Sequence, residues 1–273
     1  MNDGGQRAEY ILGHSEDELA RLERQSLFFA EPTADVLQRA GLKPGMQVLD
    51  VGCGVGDVTL EAARMVGPEG TVLGLDKSDQ AIAIAKRRAE AAGLGNTEFQ
   101  AADLNGFAPD QTFDAIVGRF ILLHMPNPAA AISALLPHLK PGGAIAFIEM
   151  DIRAATAVPK MPLFEKSLHF ITEVYTRVGL EPDMGSKLFA TFRSAGLKPQ
   201  LAGSVRIEGP WASAPYEYFV ESLRILAPVI EKTGIASASE IGLDTLAERL
   251  RAAAIKGEHC FYFPRVVGAW ATT

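Results

Sequence analysis

Residues 48–56 read Val-Leu-Asp-Val-Gly-Cys-Gly-Val-Gly, a short apolar segment that runs directly into a cluster of glycines. A helical pattern follows at once, because Val58, Ala62 and Val66 recur at the spacing of one helix face. Glycines at such a junction let the chain turn tightly and let a ligand approach the main chain. The stretch therefore predicts a strand, a ligand-binding turn and a helix of an α/β fold.

The chain on either side of this turn alternates short apolar runs with helical patterns, which is typical of βαβ units and a parallel sheet. The predicted strands lie at residues 47–51, 71–75, 97–101, 113–117, 144–148, 201–207 and 261–270. We therefore predict a doubly wound, seven-stranded, mostly parallel sheet of the Rossmann-like class.

Helical segments flank this sheet and suggest one domain over residues 1–273. A helical arm is predicted for 1–45, opened by a capping box of Ser15 and Glu18, and a ligand-binding core for 46–150. Helical lid insertions are predicted for 151–185 and 209–256, and the last strands of the sheet for 186–208 and 257–273.

The composition excludes several classes of protein. Twenty-six basic and 33 acidic residues give a net charge of −7, which does not favour binding to a nucleic acid. No apolar run approaches the about 18 residues that span a bilayer, and the first residues do not resemble a signal peptide. The two cysteines, Cys53 and Cys260, have no metal-ligand spacing. We expect a soluble, cytoplasmic protein with no nucleic-acid or membrane partner.

Acidic residues surround the predicted turn. Asp57 stands where a dinucleotide-binding fingerprint has its third glycine, and a carboxylate there repels a pyrophosphate. Asp76 lies 20 residues after Gly56, at the end of the second strand, where a carboxylate can accept both hydroxyls of a ribose. Asp103 ends the third strand on the same edge. The pattern favours a nucleoside that carries a positive group and no phosphates.

Together these residues resemble the class I S-adenosylmethionine-dependent methyltransferases. The resemblance is carried by residues 48–56, 73–76, 102–104, 113–124 and 139–143. The sequence around Tyr10 and Gln25 also resembles the N-terminal arm of bacterial small-molecule methyltransferases, and it implies that these two side chains close over the cofactor. Both residues also fit an ordinary structural role in the arm.

The resemblance implies a site for the cofactor S-adenosylmethionine. Backbone groups of Gly52, Cys53 and Gly54 would face its methionine part, and Asp50 would fix its ammonium group directly or through water. Arg119 would also lie at the methionine end.

The nucleoside part of the cofactor would take a second set of residues. The resemblance implies that Asp76 holds the ribose and that Lys77 flanks the adenine. Asp103 would accept a hydrogen bond from the adenine amino group, and the Leu104 N–H would meet a ring nitrogen.

Methyl transfer from a sulfonium is an in-line displacement that depends mainly on positioning, and a base is needed only when the acceptor keeps its proton. His124, which follows the fourth strand, is one candidate base, because histidine titrates near neutrality. Glu149 and Asp151, at the end of the fifth strand, are the other candidates for a base or for holding a cationic substrate. Since Arg119 and Phe120 occupy the positions where acidic metal ligands would follow strand four, we expect no metal.

The acceptor is predicted to be a small, mostly apolar molecule that is methylated on oxygen, nitrogen or carbon. Aromatic residues of the predicted insertions favour an apolar pocket: Phe164, Phe170, Tyr175, Trp211, Tyr216, Tyr218 and Phe219. Three alternatives stay open: a nicotinamide-dependent oxidoreductase, a non-catalytic cofactor-binding regulator, and a protein methyltransferase. The oligomeric state, monomer or homodimer, also stays open.

Overall fold

The structure is a computed structural model that describes residues 16–104, 107, 109, 111–212 and 214–273, with side chains for 28–104, 107, 109, 111–212 and 216–273. Tyr10 and Ser15, and the side chain of Gln25, lie outside the described part. The chain forms two compact units. The sheet unit comprises Phe28–Asp151, Asp183–Ser204 and Val266–Thr273, and the helical unit comprises Met1–Leu27, Ile152–Pro182 and Val205–Arg265.

The elements of the described chain are as follows. The helices are α1 (Glu16–Arg39), α2 (Asp57–Val66), α3 (Asp79–Ala91), α4 (Pro128–Leu135), α5 (Pro162–Arg177), α6 (Met184–Ser194), α7 (Ala214–Lys232), α8 (Ala238–Ile241) and α9 (Leu243–Gly257). The strands are β1 (Gln47–Val51), β2 (Thr71–Asp76), β3 (Thr97–Ala101), β4 (Phe113–Arg119), β5 (Leu139–Asp151), β6 (Thr156–Val158), β7 (Gln200–Ser204), β8 (Ile207–Glu208), β9 (Cys260–Tyr262) and β10 (Arg265–Thr272).

The sheet unit contains a seven-stranded sheet in the order β3-β2-β1-β4-β5-β10-β7. Strands β1 to β5 pair in parallel, and β10 pairs with β7 in antiparallel orientation. The predicted doubly wound, mostly parallel seven-stranded sheet is therefore confirmed. The strand order reverses between β1 and β4, and ligands of such sheets bind beyond the carboxyl ends of the strands at that point.

The central strand β1 is buried on both faces, as its apolar sequence predicts. Val48 pairs with Val72 of β2 on one side and with Ala115 of β4 on the other. Ser78 caps α3 as expected, because its hydroxyl accepts a hydrogen bond from the Ala81 N–H at 3.2 Å. The Ser78 cap fixes where α3 begins and therefore where the residues that follow β2 lie.

The helical unit contains a three-stranded antiparallel sheet in the order β6-β9-β8. Phe261 of β9 packs edge-to-face against Phe164 of α5 and Tyr216 of α7, with ring centroids 5.2 Å and 5.0 Å apart. Phe164 also packs on Phe219, at 4.8 Å. These three predicted pocket aromatics thus form packing contacts with one another or with β9 inside the unit.

Three predicted elements differ from the structure. The helix expected over 238–255 is broken at Gly242, which adopts a left-handed conformation with φ +61° and so ends α8 before α9 begins. The strand expected over 201–207 divides into β7 and β8, which belong to different sheets. The strand expected over 261–270 divides into β9 and β10 around Pro264, because proline has no N–H to donate to a neighbouring strand.

None of the described helices carries an apolar stretch long enough to cross a bilayer.

Candidate functional site

The turn after β1 is built from glycines with positive φ: +70° at Gly52, +52° at Gly54 and +91° at Gly56. The N–H groups of Gly52 and Cys53 both donate to the Leu75 carbonyl, at 2.8 and 2.9 Å, which ties the turn to the end of β2. A Cβ at Gly52 would lie 2.6 Å from Cδ1 of Ile121, whereas a Cβ at Gly54 would meet no atom within 4 Å. The backbone at Gly54 therefore borders open space that a ligand can enter.

Asp50 lies in β1 directly below this turn and is fully buried. Its Oδ2 accepts a hydrogen bond from the Thr59 hydroxyl at 2.6 Å, while its Oδ1 has no hydrogen-bond partner among the described residues. Burial raises the pKa of Asp50 to about 7, against the opposing effects of the Thr59 hydrogen bond and the Arg119 charge. A buried carboxylate oxygen without a partner is costly, so the site is suited to a cationic or hydrogen-bond-donating group.

Asp76 ends β2 beside the glycine turn. Its Oδ2 accepts from the Gly54 N–H and its Oδ1 from the Ser78 N–H, both at 2.9 Å. A carboxylate oxygen can accept a second hydrogen bond, so both oxygens keep capacity for hydroxyl donors of a ligand. Lys77, the next residue, is exposed.

The segment after β3 lies at the same edge of the sheet. The Ala102 N–H donates to the Asp76 carbonyl at 2.8 Å, which places Asp103 and Leu104 next to the end of β2. Asp103 is exposed and Leu104 is half-buried. The structure thus brings Asp50, Asp76 and Asp103 to the carboxyl ends of three neighbouring strands, as the sequence predicted.

Arg119 ends β4 and donates hydrogen bonds to one carboxylate and one hydroxyl of the sheet unit. Its Nη2 donates to Oδ2 of Asp57 at 2.9 Å, and its Nη1 donates to the Thr33 hydroxyl at 3.0 Å. Its guanidinium also lies 5.5 Å from the ring centroid of Phe120. Arg119 therefore connects α1, α2 and β4 within the sheet unit.

The chain turns sharply after β4. Phe120 has φ +56°, a left-handed conformation that is rare outside glycine, and its ring packs edge-to-face on Phe29 at 5.0 Å. A short 3₁₀ helix, Leu122–His124, follows. His124 is half-buried, and burial together with the nearby charge of Lys77 lowers its pKa to about 4. The imidazole is therefore neutral at pH 7.

The two carboxyl groups at the end of β5 have backbone partners. Oε1 of Glu149, which is fully buried, accepts from the N–H groups of Ile121 and Leu122 at 3.0 and 2.7 Å. Oδ1 of Asp151 accepts from the Ser186 N–H at 2.6 Å and Oδ2 from the Ser186 hydroxyl at 2.7 Å. These contacts place Glu149 at the start of the 3₁₀ helix and Asp151 at the start of α6.

Sequence reasoning missed several residues that complete the site. Thr59 binds Asp50, Thr33 and Arg88 belong to the Arg119–Asp57 cluster, and Ile121 packs against Gly52. Only Thr59 had a local signal, since its hydroxyl lies in the first turn of the helix that follows the glycines. In the part of the chain with described side chains, no group of three or more His, Cys, Asp or Glu residues could hold a metal ion.

Comparison with known proteins gives a consistent result. A family model described as a methyltransferase domain matches residues 42–178. The chain is 33% identical over 139 residues to the ubiquinone/menaquinone biosynthesis C-methyltransferase of Shewanella pealeana, which covers 46% of this chain and 55% of the relative. It is also 33% identical over 141 residues to the demethylmenaquinone methyltransferase of Geobacillus kaustophilus, covering 50% and 56%. The chain thus spans about half the length of the curated relatives it matches.

Solved structures match over most of the chain. The YcgJ protein of Bacillus subtilis superposes with a TM-score of 0.59 at 16% identity, covering 89% of this chain and 98% of that one. Coclaurine N-methyltransferase, bound to N-methylheliamine and S-adenosylhomocysteine, superposes with a TM-score of 0.55 at 17% identity, covering 89% and 72%. At these identities the likeness concerns the fold.

Proposed function

The chain belongs to the class I S-adenosylmethionine-dependent methyltransferases, and on that basis we propose that it transfers the methyl group of S-adenosylmethionine to a small, largely apolar organic molecule. The observation that carries the proposal is the open space at the Gly54 backbone above the buried Asp50, whose Oδ1 has no hydrogen-bond partner among the described residues. A ligand with an ammonium group at that turn would supply the missing partner.

The residues present fit the methionine part of this cofactor. Gly52, Cys53 and Gly54 would present backbone groups to it, Asp50 would accept from its ammonium group, and Arg119 would define this end of the site through its contact with Asp57. When bound, S-adenosylmethionine supplies an electrophilic methyl group on a sulfonium. Because Gly54 borders open space, its main chain is accessible to such a ligand.

The nucleoside part would lie across the ends of β2 and β3. The Asp76 carboxylate is held by the N–H groups of Gly54 and Ser78, and its remaining acceptor capacity would bind the two ribose hydroxyls. Lys77 would flank the adenine, with Asp103 and Leu104 at its polar edge. Tyr10 and Gln25 stay proposed as residues of the arm that close over the cofactor.

His124 is the proposed base for acceptors that keep their proton at neutral pH. Its imidazole is neutral at pH 7 because burial lowers its pKa to about 4, so it can accept a proton, although it is a weak base. Glu149 and Asp151 are the other candidate bases. Their carboxyl groups accept hydrogen bonds from backbone N–H groups, and we therefore propose structural roles for both.

The acceptor class is supported by the names of the relatives. These name a C-methyltransferase of ubiquinone/menaquinone biosynthesis and a demethylmenaquinone methyltransferase. A carbon of an electron-rich quinol-type ring is thus the first acceptor to test, before oxygen and nitrogen acceptors.

The net charge of −7 supports the absence of a nucleic-acid substrate. A cytoplasmic location and a homodimer also remain part of the proposal.

Calorimetric titration with S-adenosylhomocysteine, with NAD as the parallel ligand, tests the proposed cofactor. We expect tight binding of the first and none of the second. Asp76→Ala should weaken S-adenosylhomocysteine at least about 10-fold, because hydrogen bonds to a charged group are lost. Asp79→Ala, an exposed carboxylate three residues later, is the matched control and should leave the affinity unchanged.

The outcomes separate the alternatives. Binding of NAD alone would replace the proposal with a nicotinamide-dependent oxidoreductase. Binding of S-adenosylhomocysteine without methyl transfer to any of a broad acceptor panel would favour a regulator. Equal affinities of the wild type and Asp76→Ala would remove the ribose role of Asp76.

A further inference from the structure

The loop that follows β4 is held by three successive hydrogen bonds to the end of β5. The Phe120 N–H donates to the Ile148 carbonyl at 2.9 Å. The next two N–H groups, of Ile121 and Leu122, both donate to Oε1 of Glu149, at 3.0 and 2.7 Å. The first N–H groups of a helical turn have no partner within the turn itself. Glu149 therefore caps the short helix Leu122–His124 from the neighbouring strand.

This cap follows directly on the strained backbone of Phe120. Phe120 is held at φ +56°, and a non-glycine residue in that region costs free energy that surrounding contacts must offset. The turn at Phe120 redirects the chain from β4 into the short helix. The hydrogen bonds from the two residues that follow Phe120 fix the direction in which the chain leaves the turn.

The held loop contacts the glycine turn and carries the proposed base. The Ile121 side chain lies so close to Gly52 that a Cβ there would be 2.6 Å from Cδ1 of Ile121. The His124 N–H donates to the Ile121 carbonyl at 3.1 Å, so the position of Ile121 also sets that of His124. A displaced loop would therefore disturb both the glycine turn and the imidazole.

We propose that Glu149 is a positioning residue of the methyltransferase, which sets Ile121 against the glycine turn and His124 at the reaction site by accepting the Ile121 and Leu122 N–H groups. This inference rests on the proposed function. The acceptor oxygen is the part of the side chain that matters, because Oε1 makes both hydrogen bonds while Oε2 has no hydrogen-bond partner among the described residues. A glutamine keeps such an oxygen, and an alanine does not.

The test compares Glu149→Ala and Glu149→Gln with the wild type in two quantities. These are the affinity for S-adenosylhomocysteine, measured by calorimetry, and kcat for methyl transfer to the quinol-type acceptor. Misplacement of a site by a remote substitution can cost about 100-fold, and we expect losses of about 10-fold or more for Glu149→Ala in both quantities. Glu149→Gln should stay within about 3-fold of the wild type, since it retains the acceptor. Leu188→Ala, in the buried face of α6, is the control for lost stability and should keep wild-type affinity at 25 °C.

Several results would overturn the inference. These are wild-type affinity and kcat in a folded Glu149→Ala, equal losses in the glutamine and alanine variants, or an equal loss of affinity in Leu188→Ala. Failure of the wild type to bind S-adenosylhomocysteine would instead refute the proposed function, so the two failures are distinguishable.

Hydrogen exchange on the wild type tests the cap without any variant. The Ile121 and Leu122 amides should exchange slowly although they lie outside the strands, because both are bonded to a buried oxygen. Exchange at the rate of an unprotected loop would refute the cap even if Glu149→Ala failed to fold.

Discussion

Arg119 and Asp57 are 62 positions apart in the sequence, yet Nη2 of the arginine lies 2.9 Å from Oδ2 of the aspartate. Nη1 of Arg88 lies 2.7 Å from the other oxygen of Asp57, and the Thr33 hydroxyl accepts from Arg119. Two guanidinium groups thus offset the charge at the start of α2. The repulsion of a pyrophosphate by Asp57, which the sequence suggested, is correspondingly reduced, and the identification of the cofactor rests on other features.

Arg119→Met should destabilise the protein by about 2 kcal/mol, because the largely buried Asp57 then keeps only Arg88 as an ion-pair partner. Urea unfolding measures this loss. Lys140→Met is the matched control, since Lys140 pairs with Asp114 at the same 2.9 Å in a more exposed setting and should lose less than about 1 kcal/mol. Equal losses in the two variants would show that Arg119 does not hold the cluster together.

Gly52 and Gly54 should respond differently to alanine although both have positive φ. Gly52→Ala should destabilise the fold by about 2–4 kcal/mol, because left-handed strain adds to the clash of its Cβ with Ile121. Gly54→Ala should cost only the strain of about 1–2 kcal/mol, since its Cβ enters open space. That space is where the cofactor is proposed to bind, so Gly54→Ala should lose S-adenosylhomocysteine affinity at least about 10-fold.

Ile121→Ala provides the internal check on this pair of glycines. Combined with Gly52→Ala it should recover part of the lost stability, because the two nearest atoms, Cδ1 and Cγ1 of Ile121, are gone and only its Cβ at 3.1 Å remains. The recovery is read from a double-mutant cycle. Strictly additive losses would mean that Ile121 does not oppose a side chain at position 52.

His124→Gln should lower kcat about 100- to 10,000-fold for an acceptor that must lose a proton, while S-adenosylhomocysteine affinity stays unchanged. The glutamine keeps a polar side chain but cannot take up the proton. The pKa of His124 is lowered to about 4 from its ordinary 6.5, so the kcat of the wild type should begin to decrease on acidification only below about pH 5. An acid limb near pH 6.5, or full activity of the variant, would contradict the role of His124 as base.

Much of the sheet, and the grouping of acidic residues at its edge, could be predicted from the sequence because their signals are local. Apolar runs of strand length mark β1 and β2, glycines mark the turn between β1 and α2, and Ser78 marks the start of α3. The acid that follows each strand then lies at the same edge of a parallel sheet, and this brings Asp76 and Asp103 together.

The partners of the other charged residues depend on long-range geometry that no local pattern contains. Glu149 meets the Ile121 N–H only because Phe120 turns the chain in a left-handed conformation, which its residue type does not predict. Likewise, the pairing of Asp57 with Arg88 and Arg119 requires α3 and β4 to approach α2 in three dimensions. The sequence indicated which residues surround the site, but not which of them bind one another.

The stability of the protein should depend on pH through Glu149. Burial raises its pKa to about 8 from an ordinary 4.5, in spite of the hydrogen bonds from Leu122 and Ile121. The folded protein thus holds a proton that the unfolded chain releases above pH 4.5, so this group's stabilising contribution is full below pH 4.5 and is lost as pH rises to about 8. Each unit of pKa difference corresponds to about 1.4 kcal/mol, so the loss should reach a few kcal/mol.

Glu149→Gln cannot titrate, and the difference in free energy of unfolding between wild type and variant should change between pH 4.5 and about 8 in favour of the variant. A difference that is constant from pH 4.5 to 8 would show that Glu149 ionises alike in the folded and unfolded chains.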